Sequence, residues 1–121
     1  MAVARFIDHR AFTVREGQAA ALQAWLEKNE QQLAAAYPAG SQYLGTFAEI
    51  YGGEAPGWWH LFMGLDSYAG GDAVSAAAGD RDSEFGRLVS ELLSFFDLSN
   101  SARSGAWLYR AAPSVVVWEN K

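Results

Sequence analysis

Two histidines, no cysteine and a dense set of aromatic residues limit the chemistry this chain can do. The more informative histidine is His60, which lies in the run Gly57 to Asp66 (Gly-Trp-Trp-His-Leu-Phe-Met-Gly-Leu-Asp), bounded by turn signals. This run reads as a central strand. Alternate side chains of a strand point to opposite faces, so Trp59, Leu61, Met63 and Leu65 share one side while Trp58, His60, Phe62 and Gly64 share the other. The first set is purely apolar, as a face under helices should be. The second mixes aromatics with an ionisable imidazole, which suits a pocket or a subunit interface. An imidazole beside a carboxylate is held in one tautomer and becomes a better base. Glu49, on the aromatic side of its own strand, is a second acid candidate, with a solvated strand end the plainer explanation. His9 is expected beneath a helix as a hydrogen-bonded core histidine.

Other chemistries find little support. Without cysteine there are no disulfides, thiolate nucleophiles or thiolate metal sites. The two histidines show no His-x-x-x-His or Glu-x-x-His spacing, so no metal is expected. Neither Gly52-Gly53 nor Gly70-Gly71 belongs to a phosphate-binding glycine pattern, so no nucleotide cofactor is indicated. The nine basic residues are scattered, and with a net charge of −5 nucleic acid is not an expected partner. No stretch has the ~20 apolar residues of a membrane span. The start, Met1-Ala2-Val3-Ala4-Arg5, runs directly into strand-like sequence with no basic and apolar leader, which points to a cytoplasmic protein.

The elements that must position His60 follow from residue types. Val3 to Val14 suits a strand, with Phe6, Asp8, Arg10 and Phe12 on one face and Ile7, His9, Ala11 and Thr13 on the other; neither face is wholly apolar. Gln18 to Tyr37 is rich in Ala, Leu, Gln and Glu and reads as a long helix with Leu22, Trp25, Leu26, Leu33, Ala36 and Tyr37 on one stripe, stopped by Pro38 and Gly40. Asn29, on that stripe, is expected to make a structural hydrogen bond. Gln42 to Tyr51 alternates as a strand, which places Tyr43, Phe47 and Tyr51 alongside Trp58, His60 and Phe62 in a hairpin with the central strand. Asp66-Ser67 resembles a helix start, but Gly70-Gly71 predicts a broken or short helix ending by Gly79. Asp82 or Ser83 can cap a firmer helix from Glu84 to Phe96. Arg103 to Ala111 supplies a fourth strand with Trp107 and Tyr109, whose face is left open, and Pro113 breaks it. Val115 to Trp118 is expected to pair with an edge strand.

The order strand, helix, strand, strand, helix, strand predicts an α+β, ferredoxin-like split βαββαβ sandwich: one antiparallel sheet with helices on one face. At 121 residues the chain reads as a single domain, with 113–121 as a C-terminal extension. The helix stripes cover one side only. The other carries too much Trp, Phe and Tyr to leave in water on a monomer, so a second sheet, hence a homodimer, is expected to cover it.

The opening Ile7-Asp8-His9-Arg10-Ala11-Phe12-Thr13-Val14-Arg15-Glu16-Gly17 resembles the first strand of NIPSNAP-type proteins. Trp59-His60-Leu61 through Asp66-Ser67, with Asp82-Ser83-Glu84-Phe85, is similar to their third strand and pre-helix segment. Glu16, where a Pro is usual, and Gly70-Gly71 depart from the pattern. The resemblance implies the dimeric α/β-barrel superfamily, whose members include cofactor-independent antibiotic-biosynthesis monooxygenases, isomerases and haem-handling enzymes, with a cavity between sheet and helices or at the barrel mouth. It places Asp8 and Arg10 on the same side as His60. Catalysis on an apolar or aromatic small molecule would then use His60 with Asp8 as base and Arg10 as electrostatic partner, without a tightly bound cofactor; haem through His60 is an analogy only. Tyr43, Phe47, Trp58, Phe62, Trp107 and Tyr109 would wall the pocket. The alternative is a non-catalytic ligand-binding or assembly module, in which the same aromatics are dimer interface and Asp8, Arg10 and His60 merely satisfy one another.

Overall fold

A computed structural model describes residues 5–50, 58–98 and 104–110. The elements run β1 (Phe6–Thr13), α1 (Ala19–Ala36), β2 (Ser41–Ala48), β3 (Trp58–Leu65), α2 (Gly70–Gly79), α3 (Glu84–Leu93) and β4 (Ser104–Arg110). The strands form one antiparallel sheet in the order β2-β3-β1-β4, with β1 and β3 at its centre, as a ferredoxin-like sandwich requires. Within the Gly57 to Asp66 run, Trp58–Leu65 form the inner strand β3. The expected apolar run Val115 to Trp118, the extension 113–121 and Tyr51 lie outside the described residues.

The register decides which side chains share a face. Phe6, Asp8, Arg10 and Phe12 stand opposite Leu65, Met63, Leu61 and Trp59, all on the helix-covered side. Beneath the helices the core gathers Leu22 and Leu33 of α1, Leu65 of β3, Val74 of α2, and Phe85, Leu88 and Leu92 of α3 with Phe96 beyond it. At about 1.5–3 kcal/mol for each large side chain removed from water, this cluster is the main force holding the helices down. Phe12 stacks on Phe96 at 5.0 Å. The segment after α3 is tied to the end of β1 by Arg15 N to Phe95 O (2.9 Å) and Asp97 N to Thr13 O (2.8 Å).

Local chemistry accounts for the helix ends. Pro38 follows α1 and cannot continue it. Asn29 donates to Trp25 O at 3.0 Å, the structural bond expected of it. Ser83 caps α3, its hydroxyl accepting from Gly86 N at 3.0 Å. That helix ends at Leu93 rather than Phe96, and the next turn tightens through Phe95 N to Leu92 O and Phe96 N to Leu93 O. Gly70 and Gly71 do not break a helix; they begin one. In the first turn their poor interior propensity matters little, and α2 ends at Gly79 as the sequence predicts. None of the helices among the described residues is long and apolar enough to cross a membrane.

Strand β2 departs from clean alternation. A bulge between Tyr43 and Gly45 pairs Tyr43 with Met63 and Gly45 with Phe62, so Tyr43 falls on the helix side while Phe47, opposite His60, falls on the bare side. Gly45 adopts φ +137°, a conformation that side-chain-bearing residues rarely take.

Candidate functional site

The sheet separates the residues expected to converge. On the helix side, Asp8 and Arg10 are two apart on β1 and therefore neighbours on one face. Asp8 accepts a forked pair of bonds from Arg10, Nε to Oδ1 at 2.8 Å and Nη2 to Oδ2 at 3.2 Å. The carboxylate is largely covered, at 13% exposed, and the guanidinium is half out, at 47%. They line a half-open pocket of ≈ 140 Å³ between the sheet and the helices, with Tyr37, Met63, Phe85 and Val89 among its apolar walls. Burial, reinforced by the negative charge of Asp8, pushes the Tyr37 phenol up to about 12, so it stays protonated, its O–H able to donate a hydrogen bond and its oxygen to accept one. Neither Tyr37 Oη nor Arg10 Nη1 bonds to another described residue. The pocket is thus lined by two residues, Tyr37 and Arg10, each with a donor that makes no bond to another described residue, beside a carboxylate already paired with its guanidinium.

On the bare side, four residues form a continuous row, one from each strand or its end. Tyr109 Oη of β4 lies 3.2 Å from His9 Nδ1 of β1. His9 Nε2 lies 2.8 Å from His60 Nδ1 of β3, and His60 Nε2 lies 3.2 Å from Oε1 of Glu49, just beyond β2. The His9 ring stacks between Phe62 (4.3 Å, 13°) and Trp107 (4.7 Å, 24°), its cross-strand neighbours, and Phe47 meets Phe62 edge-on at 5.7 Å. Desolvation and the facing His60 hold the His9 imidazole below its ordinary value, against a smaller opposing pull from Asp8. Trp58, opposite Thr13, is on this side too.

The expected constellation therefore divides. His60, Phe47, Phe62, Trp58, Trp107 and Tyr109 share the bare face. Asp8, Arg10 and Tyr43 do not: they lie under the helices, so His60 and Asp8 cannot act as one acid–base pair. Tyr43 instead bonds Glu30 Oε2 at 2.5 Å and Thr46 Oγ1 at 2.6 Å, and burial with the Glu30 contact raises its phenol. His9, expected beneath a helix, is the bare-face residue that sequence reasoning missed. The available signal was the pair Phe6 and Phe12: both belong with Leu65 and Trp59 under the helices, and alternation then sends His9 outward. Among the described residues no cluster of His, Cys, Asp and Glu is arranged to hold a metal.

No family model matches the chain. No curated protein matches it either. Solved structures share its fold. A NIPSNAP domain protein from Burkholderia xenovorans aligns at TM-score 0.64 and 9% identity over 88% of this chain and 94% of the other. A NIPSNAP family protein from Agrobacterium tumefaciens aligns at 0.65 and 10% over 93% and 90%. A candidate antibiotic biosynthesis monooxygenase from Bordetella bronchiseptica aligns at 0.61 and 13% over 92% and 100%. The ferredoxin-like fold of NIPSNAP and monooxygenase-like proteins is therefore the fold of this chain.

Proposed function

We propose that this chain binds a small apolar or aromatic molecule carrying one hydrogen-bond acceptor in the pocket between sheet and helices, and that it works as a homodimer whose bare sheet faces cover each other. The observation that supports the reading is that Tyr37 and Arg10, whose Oη and Nη1 make no bond to another described residue, line a pocket whose walls include Met63, Phe85, Val89 and Leu92. A cavity of about 150 Å³ with apolar walls accommodates a single benzene ring, which sets the ligand size. The Asp8–Arg10 pair is neutral overall, so a ketone, quinone or phenol fits better than a free carboxylate. If the site is catalytic, as a cofactor-independent monooxygenase or an isomerase, Asp8 is the base within it and Arg10 the partner for a developing oxyanion.

The second reading, a module whose aromatics are interface, is favoured on the bare face alone, since the pocket reaches Asp8 and Arg10 rather than His60. The two readings thus apply to opposite sides of one sheet. The test is an NMR titration with phenol, cyclohexanone and benzene. Acceptor-bearing rings are expected to shift Met63 and Tyr37 signals more strongly than benzene. Shifts centred on His60, or none with any ring, would overturn the pocket assignment.

A further inference from the structure

Tyr109, His9, His60 and Glu49 join all four strands of the bare face, and their protons can be counted. One proton on Tyr109, one on each neutral imidazole and none on the Glu49 carboxylate make three protons for three hydrogen bonds. A single arrangement uses them all: Tyr109 donates to His9 Nδ1, His9 Nε2 to His60 Nδ1, and His60 Nε2 to Glu49. The ring nitrogens are then fully satisfied within the chain. An apolar cover can close over the two rings without stranding a nitrogen, while the Glu49 carboxylate lies at the β2 edge of the sheet.

We infer that a second copy of this chain closes over this face only while the His9–His60 hydrogen bond is intact, so that full protonation of the row, two added protons, opens the pair. The inference rests on the homodimer reading above. The surface suits a second copy by size. Strands of seven or eight residues, spaced ~4.8 Å and rising ~3.3 Å per residue, give a face of about 500 Å²; two would bury about 1,000 Å², where specific interfaces begin. It suits one by chemistry as well: Phe47 is 52% exposed and Trp107 and Tyr109 each 47%, around two imidazoles whose nitrogens need no further polar partner.

Added protons reverse this. A fourth proton turns the Tyr109 hydroxyl from donor to acceptor, which points its hydrogen away from the row, and it places an imidazolium under the cover. A fifth sets His9 Nε2–H against His60 Nδ1–H, and the 2.8 Å contact must break. His9 and His60 sit on the two central strands, and a two-fold pairing of identical faces brings the same charges of both copies close to the axis. The groups facing the histidines are Tyr109 from β4 and Glu49 beyond β2, with Asp8 adjacent on β1 but turned to Arg10 on the other side. Glu49 can balance one added charge in each copy, not two.

Sedimentation equilibrium of the full chain at pH 8 and pH 5.5 tests the inference, with circular dichroism recorded at both. Wild type is expected to be a dimer at pH 8 and to dissociate, still folded, at pH 5.5, its Kd rising about tenfold per pH unit for each proton taken up. The double variant His9→Gln with His60→Gln is expected to lose most of that dependence. A dimer equally tight at both pH values overturns the inference and leaves the dimer reading standing. A monomer at both overturns the two together. Unfolding at pH 5.5 in place of dissociation overturns the inference. A readout independent of the variant is the imidazole titration of wild type by NMR: midpoints should be lower in concentrated than in dilute protein, and midpoints unmoved by concentration overturn it.

Discussion

Asp8 and His9 are consecutive residues that serve opposite sides of one sheet: Asp8 holds Arg10 at 2.8 Å beneath the helices, and His9 holds His60 at 2.8 Å on the bare face. The two sites are thus separated by a layer of backbone, and disturbing one should leave the other in place. Arg10→Met leaves the largely covered Asp8 carboxylate without its partner. Because Arg10 is half exposed and screened by water, the expected loss is about 1 kcal/mol, partly recovered by adding Asp8→Asn. Urea denaturation measures the loss. The His9 and His60 ring signals should not move; a large shift would show that the faces are coupled.

Helix α3 begins in a tight corner. Its cap, Ser83, is expected to be worth about 1 kcal/mol on replacement by Ala. Gly86 is the more telling position. In an ordinary helix interior, Gly→Ala stabilises by up to about 1 kcal/mol. Here a Cβ would stand 1.9 Å from Asp80 O, a backbone atom with no freedom to swing aside. Gly86→Ala should therefore destabilise, by about 1–3 kcal/mol as overpacking does. Thermal denaturation of both variants checks the sign, and a stabilised Gly86→Ala would mean that the corner is looser than described.

The element order and the split sheet were legible because hydrophobic periods of 2 and 3.6 are local and strong in β3, α1 and α3. Strand faces were less so. In β1 each face mixes charge and apolar groups, and only pairing with β3 shows that Phe6 and Phe12 outweigh Asp8 and Arg10 in choosing the side under the helices. The polar pair could follow them there because its charges neutralise each other. Tyr43 was placed by alternation, which a bulge defeats by one residue. The bulge had a sequence trace in Gly45, yet glycine within a strand marks a bulge only once a partner register is known.

That bulge is itself testable. Gly45→Ala would force a side chain onto a backbone at φ +137° and set its Cβ 2.7 Å from the Phe47 ring. The exposed ring can swing away, so backbone strain sets the cost, about 1–3 kcal/mol. Relief by a one-residue slip would carry Tyr43 out of reach of Glu30 and Thr46 and relax its raised phenol toward the usual range. Ultraviolet pH titration of the tyrosines, compared with wild type, should show one phenol fewer at the highest pH if the strand slips. An unaltered titration with lowered stability would show that it does not.

The His9 imidazole gives the folded chain a pH dependence of definite sign. Its folded value lies below the ordinary 6.5, from burial first and the facing His60 second, so the unfolded chain binds the proton more readily. A group depressed in this way contributes its full share of stability above about 6.5 and loses it as pH falls through that value toward the lower folded one. Stability from urea denaturation at low protein concentration, where only monomer is present, should accordingly decline between pH 7 and pH 5. His9→Gln should flatten that decline, because glutamine keeps a hydrogen-bonding group but cannot titrate. If the slope survives in His9→Gln, the proton uptake belongs to another group, and the depressed imidazole is not what links this face to pH.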